Sequence, residues 1–184
     1  MWIFKKVFVI FSSLLVTLSI PVSAFALPAN DAQPIPEREY SETLHPLLAG
    51  AQQTIRVILF EIRYYPWRND STVNQLVDDL ITAAQRGVNV EVILEDSSEH
   101  AKENADDNRR VGGRLEKGGV KVYYDSPIVT THAKLLIIDD RYVVIGSTNW
   151  SYHAFEKNNE ASILIDSEQV AQHYRRYFDS LVSP

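Results

Sequence analysis

The chain of 184 residues contains no cysteine. Disulfide staples, thiol nucleophiles and cysteine zinc sites are thereby excluded, and the fold must stand on a hydrophobic core. Positive charge is also short, with 18 Lys and Arg against 24 Asp and Glu, a formal net charge of −6. Such a surface opposes indiscriminate adhesion to nucleic acid or anionic lipid, so any site for a polyanion has to be local. The segment richest in chemistry occurs once, with no internal repeat.

One long apolar run is present, Val7 to Ile20, behind Lys5 and Lys6 and ahead of Pro21 and Ala24-Phe25-Ala26. This is the pattern of a secretory signal peptide over residues 1–26, cleaved after Ala26, and it predicts an exported, periplasmic or secreted protein. The alternative is an uncleaved N-terminal membrane anchor, since the run is near the lower limit for spanning a bilayer. Residues 27–37, with Pro28, Pro34 and Pro36 among small polar side chains, read as a linker, and residues 38–184 as a single catalytic domain. The leader carries two lysines and no acid, so the remainder is more acidic than the whole.

Within that domain a helix is expected from near His45 to Gln53, with Pro46 at its first turn. Ile55 to Ile62 is a buried strand. A helix follows, capped by Asp70 or Ser71 and ended by Gly87, and then a strand over Val88 to Glu95. This βαβ unit fixes a right-handed crossover and a parallel pair. Ser97 to Asp107 reads as a loop, Asn108 to Lys117 as a helix whose Gly112-Gly113 marks close packing or a break, and Val120 to Tyr124 as a strand. His132 to Ile138 and Tyr142 to Ile145 form a hairpin, Glu160 to Ile165 a strand, and Asp166 to Val182 the closing helix. The sum is an α/β domain, a mixed and largely parallel sheet flanked by helices on both faces.

The chemistry gathers in THAKLLIIDDRYVVIGSTNWSYHAFEKNNEASILI, Thr131 to Ile165. A strand from His132 has a period of two, which puts His132 and Lys134 on one face with Leu136 and Ile138, and Ala133, Leu135 and Ile137 on the other. Imidazole and ammonium project side by side. Asp139 has the opposite parity and stands at the strand's far end, where bracing of the hairpin suits it better than contact with substrate. A neutral imidazole is a competent nucleophile near pH 7, and a lysine supplies fixed positive charge for phosphate oxygens. Ser147 and Asn149 can hydrogen-bond the same oxygens, and Glu160 could fix a histidine tautomer. The set suits phosphoryl transfer without cofactor or metal.

His132, Lys134 and Asp139 as H-x-K-x-x-x-x-D, then Gly146-Ser147-Thr148-Asn149, then Glu160, resemble the catalytic signature of the phospholipase D superfamily, and closely its small exported bacterial single-motif members. Those include endonucleases that cut DNA without a divalent metal. The resemblance implies His132, Lys134, Asp139 and Glu160 as catalytic residues, with Lys134, Ser147 and Asn149 binding the substrate phosphate. It also implies two displacements at phosphorus through a phosphohistidine, with a second histidine as general acid and base. Larger members carry the motif twice. One copy here implies a homodimer with the active site at the interface. A nucleic acid is the expected substrate, and a membrane phospholipid hydrolysed to phosphatidic acid is the alternative.

Other readings compete. A metal nuclease would use His132, Asp139, Asp140 and Glu160 as ligands, and a tethered binding protein would need the motif to be vestigial. His45, His100, His153 and His173 lack comparable context, although His153 is near the site in sequence. The Tyr64 to Trp67 loop and Trp150 could stack bases or pack on acyl chains, or simply be core and rim. Arg109, Arg110, Arg114, Lys117 and Lys121 are either a phosphate-tracking patch or a solvated helix face.

Overall fold

The computed structural model describes residues 26–96, 98–126 and 128–182. The expected leader therefore lies outside the described residues except for Ala26. Among them, seven strands form one sheet in the order β1-β7-β6-β5-β2-β3-β4. The strands are β1 Asp31–Pro36, β2 Thr54–Leu59, β3 Asn89–Leu94, β4 Lys121–Tyr124, β5 Lys134–Ile138, β6 Tyr142–Gly146 and β7 Ala161–Asp166. The helices are α1 Tyr40–Gly50, α2 Thr72–Gln85, α3 Ser98–Lys117, α4 Tyr152–Glu156 and α5 Glu168–Val182.

The alternation read along β5 separates two cores. Leu136 and Ile138 join the larger one, with Leu44 and Leu48 of α1, Leu76 and Leu80 of α2, and Leu115 of α3. Leu135 and Ile137 join Ala171 and Phe178 of α5 on the opposite face. The sheet is thus flanked by helices on both faces. It is mixed, as expected, but not largely parallel: β2–β3 and β3–β4 run parallel, and the other four pairings are antiparallel. Of these four, the β5–β6 pair follows from its tight hairpin connection, which can only reverse the chain.

Three further departures have local causes. The stretch read as linker carries β1, an edge strand against β7. Pro34 and Pro36 fit there because an edge strand needs donors on one side only, and buried Ile35 anchors it to the core. Helix α1 starts at Tyr40 and runs through Pro46, its apolar face of Tyr40, Leu44 and Leu48 outweighing the lost hydrogen bond. Helix α3 starts at Ser98, ten residues ahead of Asn108, since its first half is rich in good helix formers yet offers little apolar periodicity to read. The Gly112 signal is close packing: a Cβ there would lie 2.3 Å from the Tyr124 hydroxyl.

The β5–β6 turn, Asp139-Asp140-Arg141, holds Asp139 and Asp140 at φ 52° and 51°, the left-handed conformation that tight hairpin turns favour. The Asp139 carboxylate accepts from three backbone amides ahead of β2, those of Gln52, Gln53 and Thr54, at 2.8 to 2.9 Å. Asp140 pairs with Arg56 at 2.8 Å and with Arg175 of α5 at 3.1 Å. Replacing Asp139 with Ala orphans the three amides and should cost about 2 kcal/mol in urea unfolding, with turnover per folded molecule changed less than threefold. A hundredfold loss of turnover at native stability would return Asp139 to the chemistry.

Candidate active site

The sheet register brings the signature residues to one edge. Lys134 opens β5 opposite Leu59, the last residue of β2, and Gly146 ends β6 opposite Ser162 near the start of β7. The carboxyl ends of β2, β3 and β4 therefore share this edge with His132, Lys134, Ser147, Asn149 and Glu160. Ligands of open α/β sheets bind at such an edge. Asp139 and Asp140 stand at the opposite edge, about 20 Å away along the extended strand. The four side chains proposed as metal ligands consequently do not converge.

Lys134 is 5% exposed. Its Nζ donates to the His132 carbonyl at 2.8 Å and lies 4.9 Å from the centre of the Phe60 ring. Burial lowers the lysine's pKa from its usual value, while the charges of Glu160 and Glu61 oppose that shift. His132 lies just ahead of β5 and is exposed, with its ring centroid 4.5 Å from that of Phe60. Partial desolvation by this packing, then repulsion from Lys134, lowers the imidazole's pKa, and Glu95 opposes them. Both effects favour the neutral form of the ring.

The opposite wall follows β6. Gly146 is required by close approach, since a Cβ would meet the Ser162 hydroxyl at 2.0 Å. Ser147 then donates to Glu160 Oε2 at 2.5 Å, and Asn158 donates to Oε1 at 2.9 Å. Asn149 holds its Oδ1 buried without a hydrogen-bond partner, a cost that a donor on a bound molecule would remove. Imidazole, ammonium, hydroxyl and amide thus share one rim, a composition suited to an anionic tetrahedral group. Glu160 engages Ser147 and Asn158.

Sequence patterning did not single out the supports beneath this rim. Fully buried Glu95 and partly exposed Asp125 both accept from the Thr131 amide, at 2.5 and 3.0 Å, one residue ahead of His132. Burial raises the pKa of Asp125, against hydrogen bonds from Thr131 and the Asp96 amide and with help from Glu95. Asn108, buried in α3, accepts from the Ile62 amide at 2.9 Å and donates to the Phe60 and Glu95 carbonyls at 2.9 and 2.8 Å. It ties the ends of β2 and β3 together. A signal for the acids existed: the strands over Ile55, Val88 and Val120 each run into a carboxylate, Glu61, Glu95 or Asp125.

The remaining candidates divide. Trp150 is fully buried, whereas Trp67 is 77% exposed. His153 lines a cleft beside Glu61. The basic cluster is matched by acids, with Arg109 on Asp96, Arg110 on Asp107, Arg114 on Asp78 and Lys121 near Glu91.

Fold and rim together define an α/β domain whose signature residues gather at the carboxyl ends of its parallel strands. Residues 44–182 match the family model described as cardiolipin synthase, PLD-like domain, and the chain belongs to the phospholipase D superfamily, whose members are phosphodiester hydrolases. A mitochondrial cardiolipin hydrolase of Xenopus laevis is 26% identical over 173 residues, covering 94% of this chain and 75% of that protein. The same-named protein of Chlamydomonas reinhardtii is 26% identical over 149 residues, covering 78% of this chain, which spans only 60% of that relative. The crystal structure of Nuc, a phospholipase D family member from Salmonella typhimurium, superposes at a TM-score of 0.68 with 19% identity, covering 82% of this chain and 93% of that one. That likeness concerns the fold.

The His132 shift has a measurable sign. In an NMR titration His132 should take up its proton below the ordinary 6.5, and Lys134→Met should move the midpoint partway back up by removing the repulsion. A midpoint that stays put or falls in Lys134→Met would show that the two side chains do not sense each other.

Proposed function

We infer that the protein hydrolyses phosphodiester bonds through a phosphohistidine on His132, without a metal, and that its substrate is DNA or RNA. The observation that carries this is the exposed His132 ring set beside a buried Lys134 ammonium on the same strand edge. In the first displacement the imidazole nitrogen attacks phosphorus, and the bond to the leaving oxygen breaks as that oxygen takes a proton. Lys134 compensates charge on the non-bridging oxygens, with the Asn149 amide as hydrogen-bond donor, while the Ser147 hydroxyl is committed to Glu160. In the second, water attacks the phosphohistidine and restores the free ring.

The proton donor of the first step has to be a second histidine, and this chain has one copy of the motif. We therefore assign the active unit as a homodimer in which His132 of the partner subunit gives the proton and later takes one from water. Glu160 fixes the Ser147 hydroxyl, and Asp139 supports the hairpin. The leader pattern over residues 1–26 supports export, cleaved or anchored, with the chemistry outside the cytoplasm.

A phospholipid is the second reading. It is favoured by the cardiolipin hydrolase names of the relatives and by exposed Ile128 and Val129, 87% and 65% accessible, on the loop leading to His132. Purified protein in EDTA, incubated separately with DNA and with cardiolipin or phosphatidylcholine vesicles, separates the two. Cleavage of DNA without phosphatidic acid release is expected, and His132→Asn should reduce it at least a thousandfold. Phosphatidic acid release with intact DNA would replace nuclease by lipase, and loss of activity in EDTA would overturn the metal-free route.

A further inference from the structure

Beside the rim lies a cleft of about 380 Å³ whose lining includes Glu61, Arg63, Tyr65, Trp67, Arg68 and Tyr152. It adjoins the reacting groups: the charge of Glu61 acts on Lys134, and the Glu61 carbonyl accepts from the Trp150 amide at 3.0 Å, one residue after Asn149. Its aromatic lip is fixed. Asn74 of α2 accepts from the Tyr65 amide at 2.8 Å and donates to the carbonyls of Tyr65 and Arg68 at 2.8 and 3.1 Å. The Tyr65 hydroxyl accepts from the Tyr152 amide at 2.9 Å. Tyr65 meets Trp67 edge to face at 6.0 Å, and the Arg68 guanidinium lies 4.7 Å over the Tyr152 ring. A loop this well tied presents Trp67 to solvent at 77% exposure.

Charge narrows the occupant. Arg63 is neutralised by Glu61 at 2.6 Å and by Asp107. Arg68 has a weaker partner, the exposed Asp70 at 3.8 Å, and so keeps positive charge at the lip. The Arg68 guanidinium at the lip disfavours a quaternary ammonium headgroup, and an acyl chain would cover that charge without giving it a hydrogen bond. A nucleobase satisfies both requirements, with a π-face for the indole and polar edges for the wall, while the neighbouring phosphate meets Arg68. Paired bases hide those faces inside the stack.

We propose that this cleft is a subsite for one unpaired nucleobase next to the scissile phosphate, stacked on Trp67, so that the protein prefers single-stranded or unpaired nucleic acid. The subsite rests on nucleic acid being the substrate. Each strand threads past Lys134 with its phosphate at the rim and the adjacent base turned into the cleft.

The test compares wild type, Trp67→Ala and Trp67→Phe on single-stranded oligonucleotides cut at one position, either intact or with an abasic site beside it. On the intact strand Trp67→Ala should lower kcat/KM about tenfold or more, with Trp67→Phe largely restoring it. On the strand lacking the base the Trp67→Ala penalty should vanish, the signature of a direct contact. Circular dichroism and thermal melting verify the fold, which an exposed indole does not support. Equal penalties on both strands, no penalty on either, or a duplex cut as fast as the single strand would overturn the subsite while leaving a nuclease. Wild type that neither binds nor cuts any oligonucleotide would overturn the nucleic acid substrate itself, and the subsite with it.

Discussion

The organisation of the rim depends on a lysine ammonium held inside the sheet edge. Lys134 is nearly inaccessible, and a charge taken out of water costs several kcal/mol unless other charges and hydrogen bonds replace the solvent. The His132 carbonyl, the Phe60 ring and the charges of Glu61 and Glu160 do so. The same arrangement raises the value of an incoming anion, because a phosphate would meet the ammonium where water screens it little. Beside the partial desolvation of the ring, the ammonium charge also favours the neutral form of the neighbouring imidazole. One buried cation thus links the packing of β5 to the reactivity of His132.

That placement has supports on every adjoining strand. Thr131, just ahead of the histidine, is held by Glu95 and Asp125 from the ends of β3 and β4. Asn108 joins the ends of β2 and β3 from α3, and Gly146 lets β6 approach β7 closely enough to set Ser147 against Glu160. At the opposite edge Asp139 fixes the other end of β5 to the segment before β2. The two ends of one strand therefore stand in different surroundings: the first holds His132 and Lys134 at the rim, and the last holds Asp139 against backbone amides, even though His132 and Asp139 belong to one motif.

Much of this was legible because periodicity is a physical signal. The alternation of β5 foretold the two cores and the shared face of His132 and Lys134, and Ser71 and Gly87 bounded α2 through a hydroxyl cap and a left-handed turn. What was missed lacked such a signal. The prolines of β1 suit an edge strand as well as a linker, and only pairing with β7 decides between them. The first half of α3 buries little that is apolar. Glu95, Asp125 and Asn108 act through the ends of strands distant in sequence, so their roles exist only once the sheet order is known. Arg109, Arg114 and Lys121 looked like a patch because the acids that meet them, Asp96, Asp78 and Glu91, lie outside helix α3 and β4.

An acidic phosphodiesterase must concentrate its attraction for phosphate, and the proposed points are Lys134 and Arg68 at the lip of the neighbouring cleft. The most direct test of this account is to quench the enzyme in alkali during turnover and locate covalent phosphate by mass spectrometry. A phosphoryl group on the ring of His132, undiminished by EDTA and absent from His132→Asn, is the predicted result. An adduct on another residue, or turnover with no adduct that stops in EDTA, would contradict it.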